Sequence, residues 1–489
     1  MARSRPIAVT RAPALVWRRH VVPLALWPIL ALLAFYVVLY VQFASQLASF
    51  PFDLDQGEGY DAWSGWLINL GQLPYTSNAT YPYYSSNYPP LWSYLVSIPM
   101  AWVGPGLGAA RVLSTLSALG TAVVLGLSAR RMAAGSTLAG ILAGGFFLAS
   151  PYVFHTTPLA RVNATALLLA VCGLWLMEEP TRKRVALASL AFLAALFTKQ
   201  TTIDAVAAGV IWLVLRQRRL GIVAGSSIAA VALIGLGGLV VVTGGAFWLN
   251  VVAGNANPMD GQQLTAYLLN FALLHCVLLA MALAEALRVR INSPWPLYFV
   301  TASLATLSVA KWGAGESYFL GAIAAACVLA GSWAARHTRV TVCAALLLQL
   351  ALLSHGAISE ALGFLPDRGP QAMLLGRAPA AADRFEAEQL VRQLHRAQGP
   401  VMSEDPSFAV AAGAAVIGNA THLRNLYQAG LWDPSPMVAD LRARRYAIVV
   451  LNAELYPEPV LAAIGHSYFV DRAVHINGAT YHVFLPGSD

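Results

Sequence analysis

The sequence predicts an α-helical polytopic membrane protein of about eleven spans with a small exported α/β domain at its C-terminus. Three observations carry that prediction. Of 489 residues, 58% are hydrophobic and 11% charged, which excludes a soluble globule with a polar surface. Apolar runs recur along residues 1–355, and clusters of arginine separate alternate pairs of them. From Gly356 onward charged residues become frequent, and the roughly 134 residues that follow are enough for a core of their own.

The N-terminus, MARSRPIAVTRAPALVWRRH, is basic and leads into an apolar stretch from residue 21 to about 43. This is longer than a signal-peptide core and lacks a clear small-residue cleavage site, so it reads as a retained anchor. Spanning segments are expected at about 21–45, 108–129, 136–154, 158–177, 185–198, 201–215, 220–244, 263–285, 295–310, 317–334 and 339–355. Arg130 and Arg131, then Arg182, Lys183 and Arg184, then Arg216, Arg218 and Arg219, then Arg288 and Arg290, then Arg336 and Arg339 fall in alternate linkers. The positive-inside rule makes these linkers cytoplasmic, together with the N-terminal arginines. An odd number of spans then puts residues 356–489 outside a plasma or inner membrane. The net charge of +8 follows from this topology and gives no ground for nucleic-acid binding. Cys172, Cys276, Cys327 and Cys343 lie within apolar runs at no metal-ligand spacing and read as packing residues.

The loop at 46–107 is the first outer segment, and its stretch YPPLWSYLVSIPMAWVG is too short to cross. A helix over residues 90–103 would be roughly 21 Å long against a hydrocarbon core of about 30 Å, so it is expected flat at the interface. The apolar stretch 185–215 has arginine clusters at both ends and is interrupted at Thr198-Lys199-Gln200-Thr201-Thr202. It is expected to be a hairpin with Lys199 at its tip, facing protein or a water-filled cavity. In the C-terminal part, helices are expected at 381–399, 436–445 and 458–464. Strand-like runs fall at PVMSE, AAVIG, 446–452, 468–475 and 479–485, the last two joined at Asn477-Gly478. No nucleophile elbow, phosphate loop, zinc spacing or dinucleotide fingerprint is found there. Glu404 and Asp405, just before a proline, are placed to reach a site on the outer face, although such a pair more often just starts a turn.

The outer loop opens on PFDLDQGEGYDAW, with Asp53, Asp55, Glu58 and Asp61 close together at a membrane edge. Such a carboxylate group is costly unless something uses it. The remaining cations of the membrane part, Arg111, Arg161, Lys199 and Lys311, each fall at the outer end of a span. A single cation there often snorkels to headgroups. Four of them beside a carboxylate loop point to an outer-face site handling an anion and a proton. Trp63, Trp66, Tyr75, Tyr81, Tyr83, Tyr84, Tyr88 and Trp92 suit either an interfacial belt or stacking on sugar. Tyr60, Tyr88, Trp92 and Glu316 are the candidate sugar or acceptor contacts.

The stretch DQGEGYDAWSGWLINLGQLPY, followed by NYPPLWSYLVSIPMAWVGPGLGAARVLSTLSALGTAVVLGLSARR, resembles the GT-C superfamily of membrane glycosyltransferases. It resembles specifically the branch with the lipid A aminoarabinose transferase and protein O-mannosyltransferases. ARVNATALLLAVCGLW, LFTKQT and KWGAGESYFL look like later membrane blocks of bacterial members. The resemblance implies a polyprenyl-phosphate sugar as donor, a lipid, glycan or protein as acceptor, and an acidic pair at the start of the first outer loop. Many members have adjacent Asp-Glu, whereas here Gly57 precedes Glu58 and Asp55 stands two residues further upstream. Asp55 is the expected base, with Glu58 orienting it or holding a metal. Arg111, Arg161, Lys199 and Lys311 are the expected ligands of the lipid phosphate. Such an enzyme must activate an acceptor hydroxyl and stabilise a departing phosphate, the work of a carboxylate and of preorganised cations. No cofactor is required, and the residues of any metal site stay open. Mg²⁺ or Mn²⁺ bridging Asp55, Glu58 and phosphate would suit hard oxygen ligands. The rival expectations are a transporter or flippase of a lipid-linked or anionic solute, and a non-catalytic lipid-binding scaffold. Against the transporter stand the missing two-halves repeat and the large one-sided outer domain.

Overall fold

The computed structural model describes residues 14–354 and 378–487. The first N-terminal arginines and the expected domain boundary at 355/356 lie outside the described residues. The chain begins with α1 (Ala14–Ser49), then crosses the outer loop through α2 (Glu58–Asn69) and α3 (Leu91–Val103). It continues through α4 (Leu107–Met132), α5 (Thr137–Ala149), α6 (Pro151–Thr156), α7 (Asn163–Met177), α8 (Arg182–Thr198) and α9 (Ile203–Arg216). The remaining helices of the apolar part are α10 (Arg218–Val242), α11 (Gly261–Val289), α12 (Trp295–Ala305), α13 (Leu320–Arg336) and α14 (Val340–Ser354).

Each of the eleven expected segments thus holds a helix. Among the described residues, five helical segments are long and apolar enough to cross a membrane: Leu24–Ser49, Leu107–Met132, Arg218–Val242, Gly261–Asn292 and Glu316–Arg336. Others, such as α5 and α7, are apolar but shorter. Two expected segments differ in detail. The one at 136–154 breaks at Ser150, which is extended (φ −64, ψ 126) because Pro151 disfavours the α conformation before it. The one at 158–177 starts its helix only at Asn163, leaving Arg161 on a short non-helical turn.

Helix α13 is the core of the bundle, with a run of Ala and Gly buried nearly throughout. Small residues let neighbouring backbones come close: a Cβ at Gly331 would lie 2.8 Å from the Ala139 carbonyl on α5. Helix α10 is at the other extreme, with most of its apolar surface exposed to the surroundings of the bundle. Between α8 and α9 the chain makes the expected turn, and Lys199 is extended (φ −151, ψ 123) at its tip.

The C-terminal part is a four-stranded sheet of order β1-β2-β4-β3, from β1 (Val401–Ser403), β2 (Ile448–Leu451), β3 (Tyr468–Ile476) and β4 (Ala479–Pro486). β1 and β2 are parallel, and the other pairs are antiparallel. The helices are α15 (Ala381–His395), α16 (Pro406–Ala411), α17 (Ala420–Gln428), α18 (Ser435–Arg442) and α19 (Glu458–Ser467). The hairpin turn is at Asn477 (φ 52) and Gly478 (φ 74), the left-handed pair that a tight two-residue turn requires. AAVIG forms no strand; Val416 and Ile417 are buried in the loop that leads into α17, a helix the sequence pattern did not announce.

This domain is bonded to the outer loop. The Ser407 amide donates to Asp53 Oδ2 at 2.9 Å, and the Asp53 amide donates to Ser407 Oγ at 2.9 Å. Tyr83 Oη donates to Asp440 at 2.7 Å, the Trp432 indole to the Asn78 carbonyl at 2.7 Å, and Phe52 stacks on Phe408. Glu404 sits below this contact, accepting backbone amides of Asn452, Ala453 and Glu454 as well as that of Leu455. It fixes a turn of the domain and does not reach the cavity described next.

Candidate active site

The outer loop is organised by one buried ion pair. Arg111, in the first turn of α4, uses all five of its N–H donors: Nε to Glu58 Oε1 at 2.8 Å, Nη2 to Glu58 Oε2 at 2.7 Å and to the Phe52 carbonyl, and Nη1 to the Leu47 and Phe50 carbonyls. Glu58 also accepts the amides of Leu54 at 2.9 Å and Ala160 at 2.7 Å. Both side chains are fully buried. Burial opposes ionisation of Glu58, but the Arg111 charge and these hydrogen bonds outweigh it and hold the carboxyl below its ordinary range. Two expectations are corrected here. Glu58 turns away from the cavity, and Arg111 has no donor left for a phosphate.

The glycines around Glu58 also have a different meaning from backbone freedom. Gly57 has an ordinary φ of −85, and a Cβ there would lie 1.3 Å from Arg161 Nη1. At Gly59 a Cβ would press on Pro406 Cγ at 2.5 Å and on the Asp53 carboxylate. Space is what both positions supply: one for the Arg161 guanidinium, the other for the C-terminal domain. Asp53 itself is committed to that contact, accepting the amides of Gly59 at 2.6 Å and Ser407.

Arg161 is the centre of the cavity. Its Nη1 lies 3.2 Å from Asp55 Oδ2, its Nε 3.1 Å from Asp61 Oδ2, and its Nη2 donates to Tyr88 Oη at 3.4 Å. The Nε contact is coulombic rather than an aligned hydrogen bond, so Arg161 Nε and Asp61 Oδ2 are both left without a hydrogen-bond partner. Lys199 Nζ donates to Asn163 Oδ1 at 2.6 Å and lies 4.9 Å from the centre of the Tyr318 ring. These groups line a cavity of about 340 Å³ between the outer loop, α7, the 312–318 turn and the C-terminal domain. Asp55 has 42% of its side chain exposed and Asp61 6%. Burial is the main cause that raises the Asp61 carboxyl to about 7; the Arg161 charge opposes it and the Asp55 charge reinforces it.

Of the residues expected from sequence, Asp55, Arg161, Lys199, Tyr60, Tyr88 and Glu316 come together around this cavity. Tyr60 does so with its hydroxyl already donated to the Glu404 carbonyl at 2.9 Å. Four do not reach it. Glu58 and Arg111 pair with each other. Trp92 is 1% exposed, packed with Ala62, Val96, Met100 and Leu107. Lys311 lies beside the cavity-lining turn, bridged through its backbone to Met259. The sequence missed Asp61 as a cavity acid. The available signal was its place in the same run of carboxylates as Asp55, since Glu58 on the same helix faces Arg111 instead. It also missed Asn257, Asn419, Thr421 and Asn425, which line the cavity from segments with no recognisable motif.

A metal held jointly by Asp55 and Glu58 does not fit, because both Glu58 oxygens are taken by Arg111 and backbone amides. Among the described residues no group of three or more His, Cys, Asp or Glu is arranged to hold a metal.

No protein-family model matches the sequence, and no curated protein matches it. Solved structures do. ArnT from Cupriavidus metallidurans in the apo state superposes with a TM-score of 0.63 at 16% identity, covering 98% of this chain and 100% of that one. The same protein bound to undecaprenyl phosphate gives 0.61 at 16% identity, covering 93% and 98%. The Archaeoglobus fulgidus oligosaccharyltransferase in the apo form gives 0.53 at 12% identity, covering 91% and 73%. The chain shares the fold of these proteins. Within this fold Asp55, Asp61, Arg161 and Lys199 line the cavity between the apolar helices and the C-terminal domain.

The titration of Asp61 gives the cavity a testable pH response. Below about pH 7 Asp61 is neutral and the cavity carries one negative charge fewer. A bound phosphodiester, whose own charge is constant in this range, should therefore weaken by roughly tenfold as pH rises through 7. In Asp61→Asn the affinity should stay at the tight level near pH 6 and fall less than wild type toward pH 8, the remaining fall coming from Lys199, which burial lowers to about 8. Titration calorimetry in detergent at pH 6 and 8 checks this (about one unit either side of 7), and a flat wild-type response would contradict it.

Proposed function

We propose that this protein is an inverting glycosyltransferase that moves a sugar from a polyprenyl-phosphate donor to an acceptor on the exported face of a cell membrane. The observation that carries the proposal is the pairing of Asp55 and Asp61 with Arg161, beside Lys199, in one cavity. It is supported by the fold shared with a protein whose structure holds undecaprenyl phosphate. In this reading the acceptor O–H attacks the anomeric carbon of the donor and its proton passes to the Asp55 carboxylate. The bond from that carbon to the phosphate oxygen breaks, the electron pair leaves with the lipid phosphate, and the configuration inverts. Asp55 is the base because, of the two acids paired with Arg161, it is the one with a partly exposed carboxylate. Asp61 holds Arg161 between turnovers. Arg161 and Lys199 receive the phosphate, with more force in a partly enclosed site than in water. Glu58 and Arg111 position the loop and touch no substrate. The acceptor is a lipid, glycan or protein, and membrane lipids surround the apolar helices. The transporter reading gains no observation here.

Asp55→Asn should lower turnover by roughly 10²–10⁴ without weakening donor binding, which should tighten because one of the two carboxylates competing for Arg161 is lost. Lys199→Met should weaken donor binding by one charge-assisted contact, about ten- to hundredfold. Glu58→Gln should behave differently from both, leaving Arg111 as an uncompensated buried charge and costing about 3–5 kcal/mol of stability. Radiolabel transfer, equilibrium binding and thermal unfolding of the full chain in detergent separate the three. Normal turnover in Asp55→Asn would take the base role from it.

The arginine distribution supports eleven spans with the N-terminus in the cytoplasm and the C-terminal domain exported. A reporter active only on the exported side should work when fused after Asp489 and be silent after Arg219. Equal activity at both junctions would sink this orientation.

A further inference from the structure

One wall of the cavity has no part in the transfer chemistry just described. Gln56, Asn257, Asn419, Thr421 and Asn425 line it, together with Trp312. Gln56 Nε2, Asn257 Oδ1 and Asn425 Oδ1 are buried and have no hydrogen-bond partner among the described residues. Two of these amides are fixed by their other end: Thr421 Oγ1 donates to Gln56 Oε1 at 3.3 Å, and Asn257 Nδ2 donates to the Trp312 carbonyl at 2.9 Å. Buried polar atoms normally find partners, and three orphans on one wall point to a polar ligand that supplies them.

The chemistry of the wall selects that ligand. A carboxamide offers a donor and an acceptor, and so does a hydroxyl; a phosphate oxygen of the donor only accepts, and a polyprenyl chain does neither. We propose that this amide wall is the subsite for the donor sugar, that the sugar is uncharged and hydroxyl-rich, and that the C-terminal domain completes the subsite. The proposal rests on the transferase reading above. Thr421 and Asn425 are one turn apart on α17 and share a face. The other face of that helix is held to the apolar part: His422 Nε2 is 2.8 Å from Asn250 Oδ1, and a Cβ at Gly254 would lie 2.8 Å from both His422 Cε1 and Leu426 Cδ2. The roof is therefore fixed in place by contacts independent of any ligand. The Trp312 indole lies on the same wall with the Arg424 guanidinium over its ring at 4.7 Å, a rigid surface for the C–H face of a sugar ring.

The test compares binding of bare undecaprenyl phosphate with undecaprenyl phosphate bearing a hexose, a pentose or an amino-pentose, using the full chain in detergent. Wild type should bind at least one uncharged-sugar ligand about tenfold tighter than the bare lipid. Asn425→Ala and Asn257→Ala should each remove most of that gain and leave bare-lipid affinity unchanged, which also reports that the variants are folded. If a variant loses both ligands alike, Thr421→Val decides, because it removes one hydroxyl at nearly equal volume; equal loss there overturns the subsite. A wild type that gains nothing from any sugar, or that prefers the amino-pentose, overturns it as well. A wild type that binds none of the four lipids would instead overturn the transferase reading itself.

Discussion

The Glu58–Arg111 pair is the constraint on which the outer loop depends. It joins the start of α2 to the first turn of α4, and its remaining bonds gather the end of α1, the 50–54 segment and the Ala160 amide around one point. A charge pair taken fully out of water is stable only when nearly all its donors and acceptors are satisfied. Here every guanidinium donor is used. The consequence is positional: Asp55 stands three residues before Glu58, Asp61 three after, and Ala160 immediately before Arg161. Fixing Glu58 therefore fixes all three cavity groups without using any of them.

The glycines complete the same construction. A side chain at residue 57 would occupy the place of the Arg161 guanidinium, and one at residue 59 would press on Asp53 and on Pro406 of the C-terminal domain. The motif DQGEG thus separates two acids in different settings: a partly exposed Asp55, the proposed base, and a sealed Glu58 that holds the loop. Arg161 is held by two carboxylates, so an entering phosphate must compete with them. That competition is eased because one of the two acids, Asp61, is shifted by burial to about 7.

Much of this was legible in the sequence where the governing physics is local. Apolar runs and arginine clusters marked the helices, and the Asn477-Gly478 turn marked its hairpin. Asp55, Arg161 and Lys199 stood out as charges at a membrane edge, which are costly wherever they occur. The duties of Glu58 and Arg111 were not legible. Their partners are 53 residues apart in the chain, and a carboxylate facing a cavity reads in sequence like one facing an arginine. Trp92 was likewise indistinguishable from a sugar platform until its packing with Val96 and Met100 was seen. The helix carrying Thr421 and Asn425 escaped notice because it is only nine residues long, although Leu423 and Leu426 give it a clear apolar face. Its contribution to the cavity comes from how the domain docks.

The central claim is that Arg161 and Lys199, and not Arg111, receive the lipid phosphate. A cryo-electron microscopy structure of the full chain with undecaprenyl phosphate tests it directly. The account predicts phosphate oxygens within hydrogen-bond distance of the Arg161 and Lys199 side chains, with Arg111 still paired to Glu58. A phosphate seated on Arg111 or Lys311, with Arg161 retained by Asp55 and Asp61, would contradict it.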